Sequence, residues 1–278
     1  MNPMVNWYDL LQVIDEGGQA TIRLVRKRSS GELLVGKFLR EHWDPIAREN
    51  FRAEGLRQAR LVGPGVVPIY DYNFTADQPF IVLEYMPRGS FAKELALRGK
   101  LPLLEALRTA QEIASLLSHL HAKHVIHRDL KPGNVLRGKD GRLLLNDFGL
   151  GATISAGEYV TAGGFVGTPR YASPEQHANY ATPASDLYAL GVMLAEMVTG
   201  NSALVGMRAP AEAVEIIARL TKADPRQRPD AYTTYHLIES KIKTVEMRMR
   251  KRQAEMNRVV GQVTLAGIAV GLLVAFSK

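Results

Sequence analysis

His127-Arg128-Asp129-Leu130-Lys131-Pro132-Gly133-Asn134, followed thirteen residues after the asparagine by Asp147-Phe148-Gly149, is the stretch that decides how this chain is read. It gathers two carboxylates, an amide oxygen and a lysine within one short region. Asn134 and Asp147 supply hard oxygens of the kind a small divalent cation takes. Either group alone passes for turn chemistry; their joint spacing points to a site.

Upstream, LLQVIDE, ATIRLVRKR and ELLVGKFL within residues 9–39 read as three short strands, separated by Gly17-Gly18 and Ser29-Ser30-Gly31. Apolar and charged residues then recur at helical spacing from Pro45 to Leu61, and Gly63-Pro64-Gly65 ends the pattern. VVPIYDYNF and PFIVLEYM resemble two further strands. After Arg88-Gly89-Ser90 the long periodic segments, 102–122 and 184–199, are helical. Strands first and helices later predict an α+β chain of two lobes.

The 278 residues are 46% apolar, ordinary for a globular protein with a sizeable core, and contain no cysteine, which excludes disulfides and thiolate zinc sites. The net charge of +7 is local: residues 241–258 carry seven Lys/Arg against two Glu, Lys278 adds one, and the remainder is close to neutral. A nucleic-acid-binding domain spreads its basic residues over a folded face; here they form one run beside an apolar stretch, which points to a membrane and away from nucleic acid. The first ten residues, MNPMVNWYDL, lack the basic start and apolar centre of a secretory signal.

With HVIHRDLKPGNVL and GTPRYASPEQ also in view, the chain resembles the protein kinases, and among them the bacterial serine/threonine kinases of the eukaryotic (Hanks) type, over roughly residues 8–240. The resemblance implies a two-lobed kinase fold, with an antiparallel β N-lobe holding one main helix and a mostly helical C-lobe. It implies transfer of the γ-phosphate of Mg-ATP, with manganese as an alternative metal, to Ser/Thr hydroxyls of protein substrates. Asp129 then accepts or orients the hydroxyl proton, Lys131 steadies the phosphate, and Asn134 and Asp147 hold the metal. Lys at position 131 is the serine/threonine form of the loop. His127 is expected to pack beneath the loop without exchanging protons.

By the same resemblance Lys37, ending the Leu34-Val35-Gly36-Lys37 strand, reaches the α- and β-phosphates and pairs with Glu54 of FRAEGLRQARL, although Arg48, Arg52 and Arg57 offer Glu54 other partners. The phosphate-covering loop is Ile14-Asp15-Glu16-Gly17-Gly18-Gln19-Ala20-Thr21-Ile22, which keeps only the middle glycine of the family pattern; Asp15 and Ala20 replace the outer two. The adenine slot is expected from Ile22, Val35 and Leu136, with Leu83 as gatekeeper and the backbone of Glu84 to Met86 as its donor and acceptor edge. Glu175 and Arg228 are expected as a buried ion pair. Thr161, Thr153, Ser155 and Thr168 are candidate phosphate acceptors, with Arg128 as their receiver.

Two departures stand out. Only NSALVGMR separates Gly200 from the next helix near Ala209, where relatives insert a longer docking stretch. Together with Asp15 and Ala20 this motivates a competing reading, a nucleotide-binding pseudokinase tethered to a membrane as an interaction module. Val259 to Phe276 has eighteen residues without a charge, about 27 Å as a helix and close to the hydrocarbon thickness of a bilayer. The chain thus divides into a catalytic domain (8–240), a basic juxtamembrane segment (241–258) and a single-pass helix (259–276), with the catalytic domain cytoplasmic by the positive-inside rule. Gly267 and Gly271 mark a candidate packing face for a homodimer.

Overall fold

The computed structural model describes residues 6–17, 19–61, 63, 65–153, 159–161, 165 and 167–276, and the side chains of 153, 259 and 261–276 lie outside the described set. A five-stranded sheet leads. Its strands are β1 (Tyr8–Glu16), β2 (Ala20–Lys27), β3 (Leu33–Leu39), β4 (Ile69–Asn73) and β5 (Phe80–Glu84), in the order β1-β2-β3-β5-β4 with every pairing antiparallel. These strands fall on the short β segments read from the sequence, and the register sets Ile22 opposite Lys37 and Val35 opposite Leu83.

Helix α1 (Pro45–Arg60) packs on this sheet. Asp44 caps it, accepting from the Ile46 and Ala47 amides, Pro45 occupies the first turn, and Arg57 and Arg60 lie at the negative end of its dipole. Its buried face is Phe51, Glu54, Gly55 and Gln58, half of it polar. A Cβ on Gly55 would come within 2.7 Å of the Phe74 ring and 2.8 Å of Ile81 Cδ1, so glycine is what lets the helix lie this close to β5.

The second lobe is built on α3 (Leu103–Ala122), whose Leu107, Ala110, Ile113, Ala114 and Leu117 have no solvent exposure. Around it stand α2 (Phe91–Arg98), α5 (Pro183–Thr199), α6 (Ala211–Leu220) and α7 (Ala231–Phe276), with the short α4 (Pro174–His177) ahead of α5. One apolar cluster joins α3, α5, α6 and α7. Three pairs of short strands, among the described residues, accompany these helices: β6 (Val125–Ile126) with β9 (Ala152–Thr153), β7 (Val135–Arg137) with β8 (Leu143–Leu145), and β10 (Val160–Thr161) with β11 (Tyr180–Ala181).

Helix α7 is continuous, so the domain boundary expected at 240 falls within it, and Ile242 and Val245 remain buried in the core. Among the described residues no helix is long and apolar enough to cross a membrane. The side chains of the segment expected to span a bilayer, apart from Val260, lie outside that set.

Candidate active site

The β7–β8 hairpin explains the thirteen-residue gap. Val135 pairs with Leu145, so the next residues outward, Asn134 and Asn146, also meet, and the Asn146 amide donates to the Asn134 carbonyl at 2.9 Å. Asp147 follows directly at φ +65°, a left-handed conformation uncommon for a residue with a Cβ.

Asp129 sits at the centre of a hydrogen-bonded cluster. Lys131 Nζ lies 2.6 Å from its Oδ2, Thr168 donates its hydroxyl to Oδ1 at 2.7 Å, and Asn134 Nδ2 donates to the Asp129 carbonyl (2.9 Å) and to Oδ2 (3.2 Å). Lys131 also reaches the Thr168 hydroxyl at 2.8 Å. With its nitrogen engaged, the Asn134 side chain keeps its carbonyl oxygen as the remaining ligand atom.

Beneath this loop, Asp186 at the start of α5 is fully buried and accepts the amides of His127 and Arg128 at 3.0 Å each, with His121 Nε2 at 2.8 Å. Burial pushes the Asp186 carboxyl up, but the hydrogen bond from His121 leads the opposing interactions and holds it below the usual range. Arg128 takes φ +68°, and its carbonyl accepts from Gln176 Nε2 at 2.7 Å. His127 is buried as expected, tilted against Phe148 with ring centroids 4.9 Å apart.

From the N-lobe, Lys37 is paired with Glu54, and its Nζ stands 3.8 Å from Asp147 Oδ1. Burial lowers the lysine, yet Glu54 and then Asp147 outweigh it and Lys37 stays charged with a raised pKa. Burial likewise pushes Asp147 up, and Lys37 leads the interactions that bring it below the ordinary carboxylate range, so it is ionised. Among the described residues no three His, Cys, Asp or Glu gather into a ready metal cage. One carboxylate and one amide oxygen are instead a set that fits Mg2+, which keeps waters and takes phosphate oxygens for its other positions.

Val35 and Leu136 pack against a cluster that includes Leu83, Met86 and Leu144, and Ile22 lies on the neighbouring strand opposite Lys37. Glu84 bonds Arg142 through its carboxylate (2.7 Å) and Pro68 through its amide (3.0 Å). Ile14 lies on β1, and Gly17 forms the turn with its amide on the Ala20 carbonyl at 3.2 Å. Gly18 falls outside the described residues, as does Ser155.

This arrangement has a lysine bridging a helix carboxylate and a metal-type aspartate, above an aspartate–lysine loop. The sequence matches the protein kinase domain family over residues 8–252. The chain belongs to that family. It is 32% identical to the serine/threonine-protein kinase PrkC of Bacillus subtilis over 80% of this chain and 35% of that protein. Identity to drp72 of Corynebacterium efficiens, serine/threonine-protein kinases by its description, is 34% over 79% and 43%. For PknA of Mycobacterium tuberculosis (strain ATCC 25618 / H37Rv) it is 32% over 72% and 48%. The chain therefore spans less than half the length of these relatives.

Within the kinase frame several residues work differently from the sequence reading. Thr168, a candidate phosphate acceptor, has its hydroxyl committed between Asp129 and Lys131. Arg57, a rival partner for Glu54, donates to the Phe148 carbonyl at 2.6 Å and to that of Gly149 at 3.3 Å. Arg48 ties down the carbonyls of His42, Phe74, Ala76 and Asp77. Gln58, His121 and Gln176 escaped notice. Gln58 alone left a signal, lying one helical turn after Glu54 on the same face.

Glu175 and Arg228 do form the expected buried pair, bidentate at 2.7 and 2.8 Å, with Ser185 donating to the same carboxylate.

Proposed function

We propose that this chain transfers the γ-phosphate of ATP, bound with magnesium or manganese, to serine and threonine hydroxyls of protein substrates. The observation that carries the reading is Asp129, held by Lys131, Thr168 and Asn134 on one side of a site whose other side is the Lys37–Glu54 pair beside Asp147. The metal supplies charge neutralisation for the phosphates and would be held by Asn134 and Asp147. Lys37 orients the nucleotide phosphates, Asp129 takes the acceptor hydroxyl's proton, and Lys131 steadies the group in transit. A groove of about 520 Å³ lined by α2, Lys131, Gly133, Arg170 and Glu196 opens at Lys131, the lysine bonded to Asp129, and is where a substrate segment would lie.

Activation-segment phosphorylation fits the same site. Arg128 is half-buried with its Nε unpartnered among the described residues, and burial followed by repulsion from Arg57 lowers its pKa. A phosphate on Thr161, exposed on β10, would relieve both.

Membrane attachment through 259–276, with the exposed end of the basic run, 249–258, facing anionic headgroups and the kinase domain in the cytoplasm, rests on the eighteen uncharged residues that follow that run. A second copy packed at Gly267 and Gly271 would bring two kinase domains together on one surface.

The test of transfer is the purified full chain with labelled ATP, magnesium and a generic protein substrate, scored for phosphoserine and phosphothreonine. Label in wild type and none in Asp129→Ala supports the enzyme; equally little in both, with nucleotide still bound, makes the chain a binding module. Alkaline carbonate washing of membranes tests the anchor: retention in the pellet supports it, and release removes it.

A further inference from the structure

The groove at Lys131 is lined unevenly in charge. Ala92, Leu95 and Ala96 of α2 give it a small, apolar wall, and one end is closed where α2 and α5 terminate against each other. Gly99 and Gly200 make that contact, both at positive φ, and a Cβ on Gly200 would come within 3.2 Å of the Gly99 carbonyl oxygen. Such surfaces read little sequence by themselves. The charged side chains among the described lining residues are Lys131, Arg170 and Glu196.

Two of the three are already committed. Lys131 Nζ is bonded to Asp129 at 2.6 Å and to the Thr168 hydroxyl at 2.8 Å. Glu196 accepts the hydroxyl of the buried Tyr171 on Oε2 at 2.7 Å, has Arg170 at 3.9 Å from Oε1, and keeps only 17% of its side chain exposed. Burial first, then the Glu196 carboxylate, pushes the Tyr171 phenol up, so it stays protonated and keeps donating. Arg170 is the contrast. Its side chain is 58% exposed, and 3.9 Å is too long for a hydrogen bond, which leaves most of its guanidinium donors available to whatever enters. A substrate lysine or arginine would have to part Glu196 from Tyr171 and sit beside two like charges. An aspartate or glutamate meets Arg170 without breaking anything.

We infer that Arg170 is a specificity-determining residue, which makes this groove prefer substrate segments that carry an Asp or Glu close to the acceptor Ser or Thr. The inference rests on the kinase reading, since Asp129 and Lys131 set where the acceptor lies. Thr168 bonds both of those residues and stands two positions before Arg170 in the chain, so the anionic side chain belongs within a few residues of the acceptor.

The experiment gives the full chain Mg-ATP and a peptide set built on one sequence with a single threonine, in which each neighbouring position in turn is Ala, Asp or Lys, and reads kcat and KM for each. Wild type is expected to favour Asp over Ala about fivefold in kcat/KM at one or two positions, the upper scale of a partly exposed ion pair, and to disfavour Lys there. The preference resides in KM and shrinks as salt is raised from about 0.05 to about 0.5 M. Arg170→Glu turns the order round, with Lys above Asp at the same positions, and Arg170→Gln levels it. A purely structural role for Arg170 would lower the melting temperature and slow every peptide alike with the Asp-to-Lys ratio unchanged; that outcome overturns the inference, as does a wild type that favours Lys or ignores charge. Should both variants fail to fold, the wild-type series alone decides. Transfer to no peptide and to no generic protein substrate removes the kinase reading itself, and the inference with it.

Discussion

Thr168 donates its hydroxyl to Asp129 Oδ1 at 2.7 Å, fixing the rotamer of the aspartate proposed to take the acceptor proton. Thr168→Val removes the donor at nearly constant volume. Turnover should fall about 10²-fold, the lower end of what positioned proton transfer contributes. Thr168→Ser should retain most activity, and steady-state phosphorylation of a peptide measures both.

Glu54→Gln keeps the shape of α1 and removes the charge that holds Lys37. Burial already pushes the Glu54 carboxyl up and Lys37 pulls it down, so the pair depends on mutual compensation. An expected loss of about 10²-fold in kcat/KM, comparable to removing one preorganised phosphate contact, would appear in both Glu54→Gln and Lys37→Met. Their combination should be scarcely worse than either one.

The Glu175–Arg228 pair has a pH signature. Burial raises the Glu175 carboxyl, but the hydrogen bonds from Arg228 and Ser185 bring it below its ordinary value, so its contribution is present above the unfolded carboxylate pKa and is lost as pH falls through the lower folded one. Glu175→Gln should cost about 3 kcal/mol at pH 7, because it leaves Arg228 buried without its counter-charge. Denaturant melts should show that gap constant from pH 8 to about 5 and closing below about pH 4.

Gly55→Ala tests how closely α1 lies on the sheet. With a Cβ 2.7 Å from the Phe74 ring and 2.8 Å from Ile81, helix or rings must shift, and about 1–3 kcal/mol of destabilisation is expected despite the better helix former. Because Glu54 rides on the same helix, kinase activity should fall as well.

Most of the fold was legible. Short β-rich runs bounded by turn formers marked the sheet strands, and apolar periodicity marked α3 and α5, because a helix that buries one face shows its period in sequence. Lys37, Asp129, Asn134 and Asp147 could be named because each is a charged or amide residue in a distinctive local pattern. The partners of Gln58, Arg57, His121 and Gln176 could not, since each acts through a contact with residues far along the chain: Gln58 with 146, Arg57 with 148, His121 with 186, Gln176 with 128. Such contacts exist only once the lobes are packed. The partners of the Thr168 hydroxyl, Asp129 and Lys131, were hidden for the same reason. The boundary at 240 followed a change in composition, whereas α7 carries buried residues on to Val245 within a run that is already basic.

Asp186 has a consequence for where control can enter. Its carboxylate sits on the most deeply packed helix of the C-lobe and suspends the backbone of the 127–129 turn from it, so shifting Asp129 would require melting that lobe. The opposite half of the site hangs on α1, a helix with a half-polar seat. Tilting that one helix would therefore change the site without unfolding the chain, against an anvil that stays put.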